Sequence, residues 1–180
     1  MTDDHTHRSF RERILGKRRY VLPPALPGDT NARDKQGNNT PAPPRPALLA
    51  PGRIGEELAR RGYRFRLDAD GDVTGVWDGN QFWFLLLGDH KEVLQVRARW
   101  ANTVDDSARL SILQAANDWN RDRLWPKVYV REEDELAVYA EVSVDFEHGA
   151  TDAQLADTIS CGLATATQFF TQAGVFLEDE

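Results

Sequence analysis

Four segments in the middle of the chain alternate between apolar and polar residues, which is the pattern of half-buried strands. They are Tyr63–Leu67, Val73–Trp77, Gln81–Leu87 and Val93–Trp100. Asp-Gly and Asp-Gly-Asn sequences follow the first and second segments and are typical of tight hairpin turns. Because strands joined by short turns pair antiparallel, these residues predict a four-stranded meander.

Two segments around the meander carry apolar residues at helical spacing. The first begins at Pro51, places Ile54 and Leu58 on one side, and ends at Gly62. The second is opened by Asp105 and Asp106. Its predicted buried stripe consists of Leu110, Ile112, Leu113, Ala116 and Trp119.

The C-terminal part predicts two more strands and a last helix. The strands are Lys127–Arg131 and Leu136–Phe146, and Thr151 to Gln154 form a capping box that starts the helix. The helix is expected to bury Leu155, Ile159, Gly162, Leu163, Ala166, Phe169 and Phe170. The resulting order, αββββαββα, predicts an α+β fold with helices packed on an antiparallel sheet.

Residues 1–50 differ from the rest of the chain in composition and charge. They hold nine Lys and Arg against five Asp and Glu, a net charge of +4, whereas residues 51–180 carry −11. Proline, alanine, asparagine and glycine dominate from Leu22 to Pro51, and such a sequence does not build a core. We therefore expect a disordered basic tail and linker over 1–50 and one domain over 51–180. Arg8–Tyr20 could instead fold as a short amphipathic helix on a partner or an anionic surface.

Composition also limits the location of the protein and the class of its partner. No apolar run approaches the roughly 18 residues of a membrane-spanning helix. The first ten residues, MTDDHTHRSF, lack the apolar stretch of a signal peptide. These features predict a cytoplasmic protein. General nucleic-acid binding is not expected of so acidic a domain, because neutralisation of phosphates supplies most of that affinity.

Five ordered segments carry a resemblance to a known family. They are GYRFRLDADGDVTGVWDGNQFWFLLLG, VLQVRARW, NDWNRDRLWPKVYV, AVYAEVSVDFEHGATDAQL and GLATATQFF. Together they resemble the actinobacterial branch of the YbjN-domain family over residues 52–176. The resemblance implies a fold similar to type III secretion chaperones, often dimeric, and a sensory-transduction or stress-regulatory role. It implies no catalytic residues, because the family has no agreed reaction.

The strand Gln81–Leu87 is apolar on both faces, unlike its neighbours. One face holds Phe82, Phe84 and Leu86, and the other holds Trp83, Leu85 and Leu87. An antiparallel sheet covered by helices on one side should be polar on the other. The second face is therefore expected to be buried by another part of the structure or a homodimer, or to be exposed as a partner-binding strip.

Basic and aromatic residues are predicted on the same face as Trp83 and Leu85. They are Arg64, Arg66, Arg97, Arg99, Arg131, Tyr129 and Tyr139. Such side chains are the ingredients of a nucleic-acid or phosphate platform. Glu141 and Asp145 are expected beside them, so pairing of charges across strands explains the pattern as well. We therefore expect this surface to contact a protein.

The segment NDWNRDRLWPKVYV predicts a junction between a helix and a strand. Trp125 precedes Pro126 and is pushed toward extended geometry, which ends the helix. Asn117 and Asn120 lie on one helical face beside Trp119, and we expect them to hydrogen-bond the backbone of the following loop. The alternative is a small-ligand pocket lined by Asn117, Asn120, Trp125 and Tyr129.

No residue pattern predicts a catalytic, cofactor or metal site. The single cysteine, Cys161, excludes a zinc site built from several cysteines. Asp68–Asp72 lacks the glycine and glutamate positions of a calcium loop and is predicted to be a hairpin turn. An enzyme hypothesis would use Asp145, Glu147 and His148, but their predicted place in a turn favours solvation. We therefore expect neither an enzyme nor a cofactor.

These observations predict a non-enzymatic protein-binding domain with a chaperone-like or stress- and signal-regulatory role. Its partner is expected to be another protein or a second copy of the chain in a homodimer. The alternative function is a small-ligand sensor that binds near Asn117, Asn120 and Trp125.

Overall fold

The computed structural model describes residues 44–178, with side chains as far as Val175. Its helices are α1 (Pro51–Arg60), α2 (Arg109–Asp122) and α3 (Asp152–Glu178), and its strands are β1 (Arg66–Leu67), β2 (Val73–Trp77), β3 (Asn80–Leu87), β4 (Val93–Arg99), β5 (Lys127–Glu132) and β6 (Leu136–Asp145). This order confirms the predicted α+β fold with an antiparallel sheet. The predictions for residues 1–43, namely the disordered tail and the Arg8–Tyr20 helix, lie outside the described residues.

The six strands form one antiparallel sheet in the order β1-β2-β3-β4-β6-β5. Strands β1 to β4 are the predicted meander, whereas β6 lies between β4 and the edge strand β5. Across the centre of the sheet, Phe82 is opposite Ala98, and Ala98 is opposite Ala140. These residues belong to the core that the helices share with one side of the sheet, which we call the inner face. The other side is the outer face.

Helix α3 packs along β4 and β6 on the inner face. Its predicted buried stripe is confirmed, and Phe169 and Phe170 are each only 2% exposed. Gly162 sits so close to the sheet that an added Cβ would lie 2.5 Å from Cβ of Val96. At the start of the helix the predicted capping box is formed: the Gln154 amide donates to Oγ1 of Thr151 at 3.2 Å, and the Thr151 amide donates to Oε1 of Gln154 at 2.9 Å.

The predicted strand over Tyr63–Leu67 is wrong in length, because only Arg66 and Leu67 join the sheet. The Tyr63 amide donates to the Leu58 carbonyl at 2.9 Å, and the Gly62 amide donates to the Ala59 carbonyl at 2.9 Å. These two bonds close the C-terminus of α1. The Tyr63 backbone therefore ends a helix and does not extend the strand.

The predicted buried stripe of α2 is also partly wrong. Ile112, Ala116 and Trp119 are buried, but Leu110 is 79% exposed and Leu113 is 38% exposed. The first turn of this segment is a 3₁₀ turn over Asp106–Ala108, which precedes the α-helix at Arg109. A helix that lies at the margin of the sheet needs only a narrow buried stripe, and the pattern of leucines alone predicted a wider one.

Two arginines fasten α1 to the start of α3. The Arg53 guanidinium donates to the carbonyls of Ala47 and Ala150, at 2.7 and 2.8 Å. Arg61 donates to the Ser160 hydroxyl at 2.6 Å and also pairs with Glu57. Ala47 and Ala150 form an isolated antiparallel bridge, so ordered structure includes residues before Pro51.

The contact at Gly162 leads to a prediction about stability. Substituting Gly162→Ala forces the new methyl group into Val96 and should lower the free energy of unfolding by about 1–3 kcal/mol. The matched control is Gly174→Ala in the same helix, where the nearest atom would be 3.7 Å away in Trp100. Because alanine favours a helix over glycine, Gly174→Ala should raise stability by up to about 1 kcal/mol. Urea unfolding of the full chain measures both, and equal effects would contradict the prediction.

Candidate functional site

The outer face has an apolar half on β3 and β4. Trp83 and Leu85 are half-buried there, and Leu87, 39% exposed, is directly opposite Val93. In the part of the chain that the structure describes, the core shared with the helices contains none of these outer-face residues. The structure therefore places Trp83 and Leu85 together on one side of the sheet, as predicted, and the described helices pack on the opposite side.

The other half of the outer face is organised around Glu141. The Tyr129 hydroxyl donates to Oε2 of Glu141 at 3.0 Å, and Nζ of Lys127 lies 3.1 Å from its Oε1. Nε of Arg97 approaches Oε2 at 3.5 Å, but this ion pair lacks the alignment of a hydrogen bond. Glu141 thus forms ion pairs with two cations while it accepts a hydrogen bond from a phenol.

A second carboxylate, Glu133 in the turn between β5 and β6, forms a similar group of contacts. The Tyr139 hydroxyl donates to its Oε1 at 2.7 Å, and Nε of Arg99 lies 3.4 Å from its Oε2. The rings of Tyr129 and Tyr139 are nearly parallel, with centroids 5.5 Å apart. Charge pairing across strands, expected as one explanation for the arginines, is found for Arg97, whereas Arg99 pairs with a carboxylate in the turn between β5 and β6.

The remaining predicted arginines are placed differently. Arg66 is opposite Thr74, in the same row as Trp83 and Arg97. Arg64 precedes β1 and lies outside the sheet, so the strand alternation that predicted it on the outer face does not apply. The guanidinium of Arg131 lies over the Tyr139 ring, 5.6 Å from its centre.

The junction after α2 is closed by Asn120. Its side-chain amide donates to the Val128 carbonyl at 2.8 Å, and its oxygen accepts from the Val128 amide, also at 2.8 Å. These two bonds engage the N–H and C=O of Val128 on the edge strand β5, as a neighbouring strand would. The peptide between Trp125 and Pro126 is cis, and β5 begins at the next residue. Asn120 thus binds the backbone of β5 and not that of the loop before it, and Asn117, for which the same role was predicted, makes no such bond to a described residue.

The structure does not bring together the residues of the predicted small-ligand pocket. Asn117 is exposed and makes no side-chain hydrogen bond to any described residue. Tyr129 contacts Glu141 on the outer face, whereas its neighbour Val128 belongs to the inner core. Trp119, which was predicted beside that pocket, instead lines a cavity together with Phe169 of α3. Sequence spacing could not reveal this cavity, because Phe169 is fifty positions from Trp119 and on another helix.

The residues of the enzyme hypothesis lie exposed at the end of β6 and in the turn that follows it. Asp145, Glu147 and His148 are all exposed, and the Asp145 carboxylate accepts from the Glu147 amide at 2.9 Å. Within residues 44–178, no group of three or more His, Cys, Asp and Glu side chains is placed to hold a metal ion. Cys161 is half-buried, and this burial raises the pKa of its thiol. None of the helices described here has the length and apolarity required to cross a bilayer.

A family model named YbjN, described as "Putative bacterial sensory transduction regulator", matches residues 51–174. The chain belongs to the YbjN family. This assignment confirms the resemblance found in the sequence at the level of the family. No match was found among curated proteins.

Three solved structures match this YbjN-family domain at low sequence identity. The crystal structure of YbjN from E. coli is 16% identical, with a TM-score of 0.62, and the match covers 72% of this chain and 95% of that one. A chain of the HopA1-SchA chaperone-effector complex has a TM-score of 0.48 at 13% identity, covering 67% and 91%. The Yersinia pestis type III secretion chaperone SycH, solved with a fragment of YscM2, has a TM-score of 0.42 at 12% identity, covering 66% and 98%.

Because Asn120 bonds to both backbone groups of Val128, we expect its side-chain amide to contribute strongly to the free energy of unfolding. Substituting Asn120→Ala leaves the N–H and C=O of Val128, a residue 3% exposed, without partners and should cost about 2–3 kcal/mol. Asn117→Ala, three residues earlier on the same helix, should stay within about 0.5 kcal/mol of the unmodified chain. Urea unfolding measures the difference. Similar results for the two variants would show that the bonds to Val128 do not contribute to stability.

The raised pKa of the Tyr129 phenol leads us to expect a loss of stability at high pH. Burial and the adjacent Glu141 carboxylate raise the pKa of Tyr129 from 10.0 to about 12. Since the native state favours the neutral phenol, its contribution to stability is fully present below about pH 10 and is lost as the pH rises through about 12. The difference in Tm between the unmodified chain and Tyr129→Phe should therefore narrow over this range. A difference that is constant with pH would contradict the assignment.

Proposed function

We propose that this domain binds another protein through its outer face and acts in a non-enzymatic, chaperone-like or regulatory role. The observation that carries the proposal is the apolar half around Trp83, Leu85 and Leu87, which the described helices leave uncovered. Apolar and aromatic side chains that remain accessible on a folded sheet are typical of protein contacts. Membership of a family described as regulators supports the same role.

The charges of the outer face favour a protein over a nucleic acid. Arg97 and Arg99 already face Glu141 and Glu133, so a phosphate would have to compete with a carboxylate at each arginine. Loss of those ion pairs would offset much of the gain from contacting a phosphate. DNA contact, which the description of E. coli YbjN as a "putative transcription regulator" would suggest, is therefore not the role we assign to this face.

A second copy of the chain is one candidate for the partner. The same apolar half could be covered by its equivalent in a homodimer with two-fold symmetry, because such an interface uses one surface twice. We further propose that the chain belongs to the actinobacterial branch of the family and that the protein is cytoplasmic. The boundary between the tail and the domain is proposed to lie near residue 50. The small-ligand sensor remains a second candidate, and the cavity beside Trp119 is the observation that favours it.

A photo-crosslinking experiment tests the outer face. A photoreactive phenylalanine analogue at Leu87, which is 39% exposed, should form specific adducts in bacterial cells. The matched control carries it at Leu113 on α2, which is 38% exposed. Substituting Trp83→Ala and Arg97→Ala together should weaken the complex roughly thirtyfold and remove the Leu87 adduct.

The outcomes separate the possible partners. An adduct of twice the chain mass, together with a dimer in light scattering of the full chain, would identify a second copy as the partner. An adduct of another mass would identify a different protein. Equal adducts at Leu87 and Leu113, or a Leu87 adduct that survives the double substitution in a folded variant, would remove the outer face as the binding site.

A further inference from the structure

A cavity of about 500 Å³ lies between the C-terminal half of α2 and the end of α3. Its apolar lining includes Trp119, Phe169, Ala115 and Ala173. The Trp119 and Phe169 rings meet edge to face, with centroids 5.3 Å apart. A cavity of this volume, with an aromatic wall, is within the range of small-molecule sites.

The Trp119 indole is an unusual component of this wall. The side chain is only 7% exposed, and its Nε1 has no hydrogen-bond acceptor among the described residues. Buried N–H groups are nearly always paired in folded proteins, and an exception calls for an explanation. An acceptor brought by a bound molecule would supply the missing partner.

Arg123 provides a second donor at the cavity. Its guanidinium lies over the Trp119 ring, 5.2 Å from the ring centre, and both residues line the cavity. In the described part of the chain Arg123 forms no ion pair, and its side chain is exposed. It can therefore leave the ring without breaking an ion pair to a described residue, and this movement would open the face of the indole ring to the apolar part of a ligand.

The acidic residues beside the cavity do not favour a cation. Asp118 and Asp122 both line it, but Arg121 bonds to each of them, at 2.7 and 2.9 Å. The hydrogen bond from Arg121 lowers the pKa of Asp122, as expected of a carboxylate engaged by a guanidinium. Arg123 also acts on Asp122 through its charge, but its guanidinium N–H groups make no hydrogen bond to any described residue and are free to donate to a ligand.

We propose that the cavity binds a small organic anion with an apolar body, such as a medium-chain monocarboxylate. The apolar body packs against Trp119 and Phe169. Its carboxylate accepts hydrogen bonds from the Arg123 guanidinium and from Nε1 of Trp119 after Arg123 has moved off the ring. This site is separate from the outer face and does not depend on protein binding there.

The test uses the indole N–H signals of the ¹⁵N-labelled full chain, which contains five tryptophans. The Trp119→Phe variant assigns the Trp119 signal, and octanoate is the probe. We expect a saturable shift of that signal with a dissociation constant in the millimolar range or below, at octanoate concentrations up to about 10 mM. The cation octylammonium, which has the same chain length, should shift it much less.

Two arginine variants decide whether the anion is recognised. Arg123→Gln should weaken octanoate binding roughly tenfold or more, because it removes a charge-assisted hydrogen bond. The matched control, Arg131→Gln, also removes a guanidinium from an aromatic ring but on the outer face, and it should leave binding unchanged. No shift up to about 10 mM octanoate, an equal shift with octylammonium, or an unchanged affinity in Arg123→Gln would each overturn the proposal.

Discussion

Helix α3 lies so close to strand β4 that one methyl group at Gly162 would overlap Val96. This close approach holds the helix against β4 and β6, and farther along the helix Phe169 and Phe170 reach the rings of Trp119 and Trp100. The helix C-terminus therefore forms one wall of the cavity, and its N-terminus receives Arg53 and Arg61 from α1. A wider spacing would loosen all of these contacts, because interiors packed at this density do not adjust continuously.

The same packing explains why the outer face is available. All three helices contribute to the inner core, and the outer face is stabilised mainly by its own side chains. Glu141 and Glu133 hold the two tyrosines and the nearby arginines in fixed positions, so a partner would meet an ordered surface and lose little side-chain entropy on binding. Such paired charges contribute to the choice and orientation of a partner more than to the strength of binding. The affinity would have to come from the apolar half around Trp83.

Features determined by neighbours in sequence were predictable, and those determined by distant contacts were not. The hairpin at Asp78-Gly79 needs two positive φ angles, 50° and 80°, and this pair of residues is suited to them. The exposure of Leu110 and the wall formed by Phe169 depend on where α2 lies against α3, which helical spacing does not encode. Tyr129 was predicted both on the outer face and in a pocket with Asn120. The two predictions together would require its side chain to point to both sides of the sheet. Strand alternation alone could have excluded one of the two positions.

The bonds between Asn120 and Val128 close a sheet edge with a side chain and not with a strand. A closure of this kind depends on a single amide group. Deamidation to aspartate would remove the donor to the Val128 carbonyl and set a negative charge against it, which would leave that carbonyl unpaired on the edge strand. Unpaired groups on an edge strand are a template for strands of other molecules. Chemical ageing at this one position would thus enlarge the part of the sheet edge that is open to pairing with another chain.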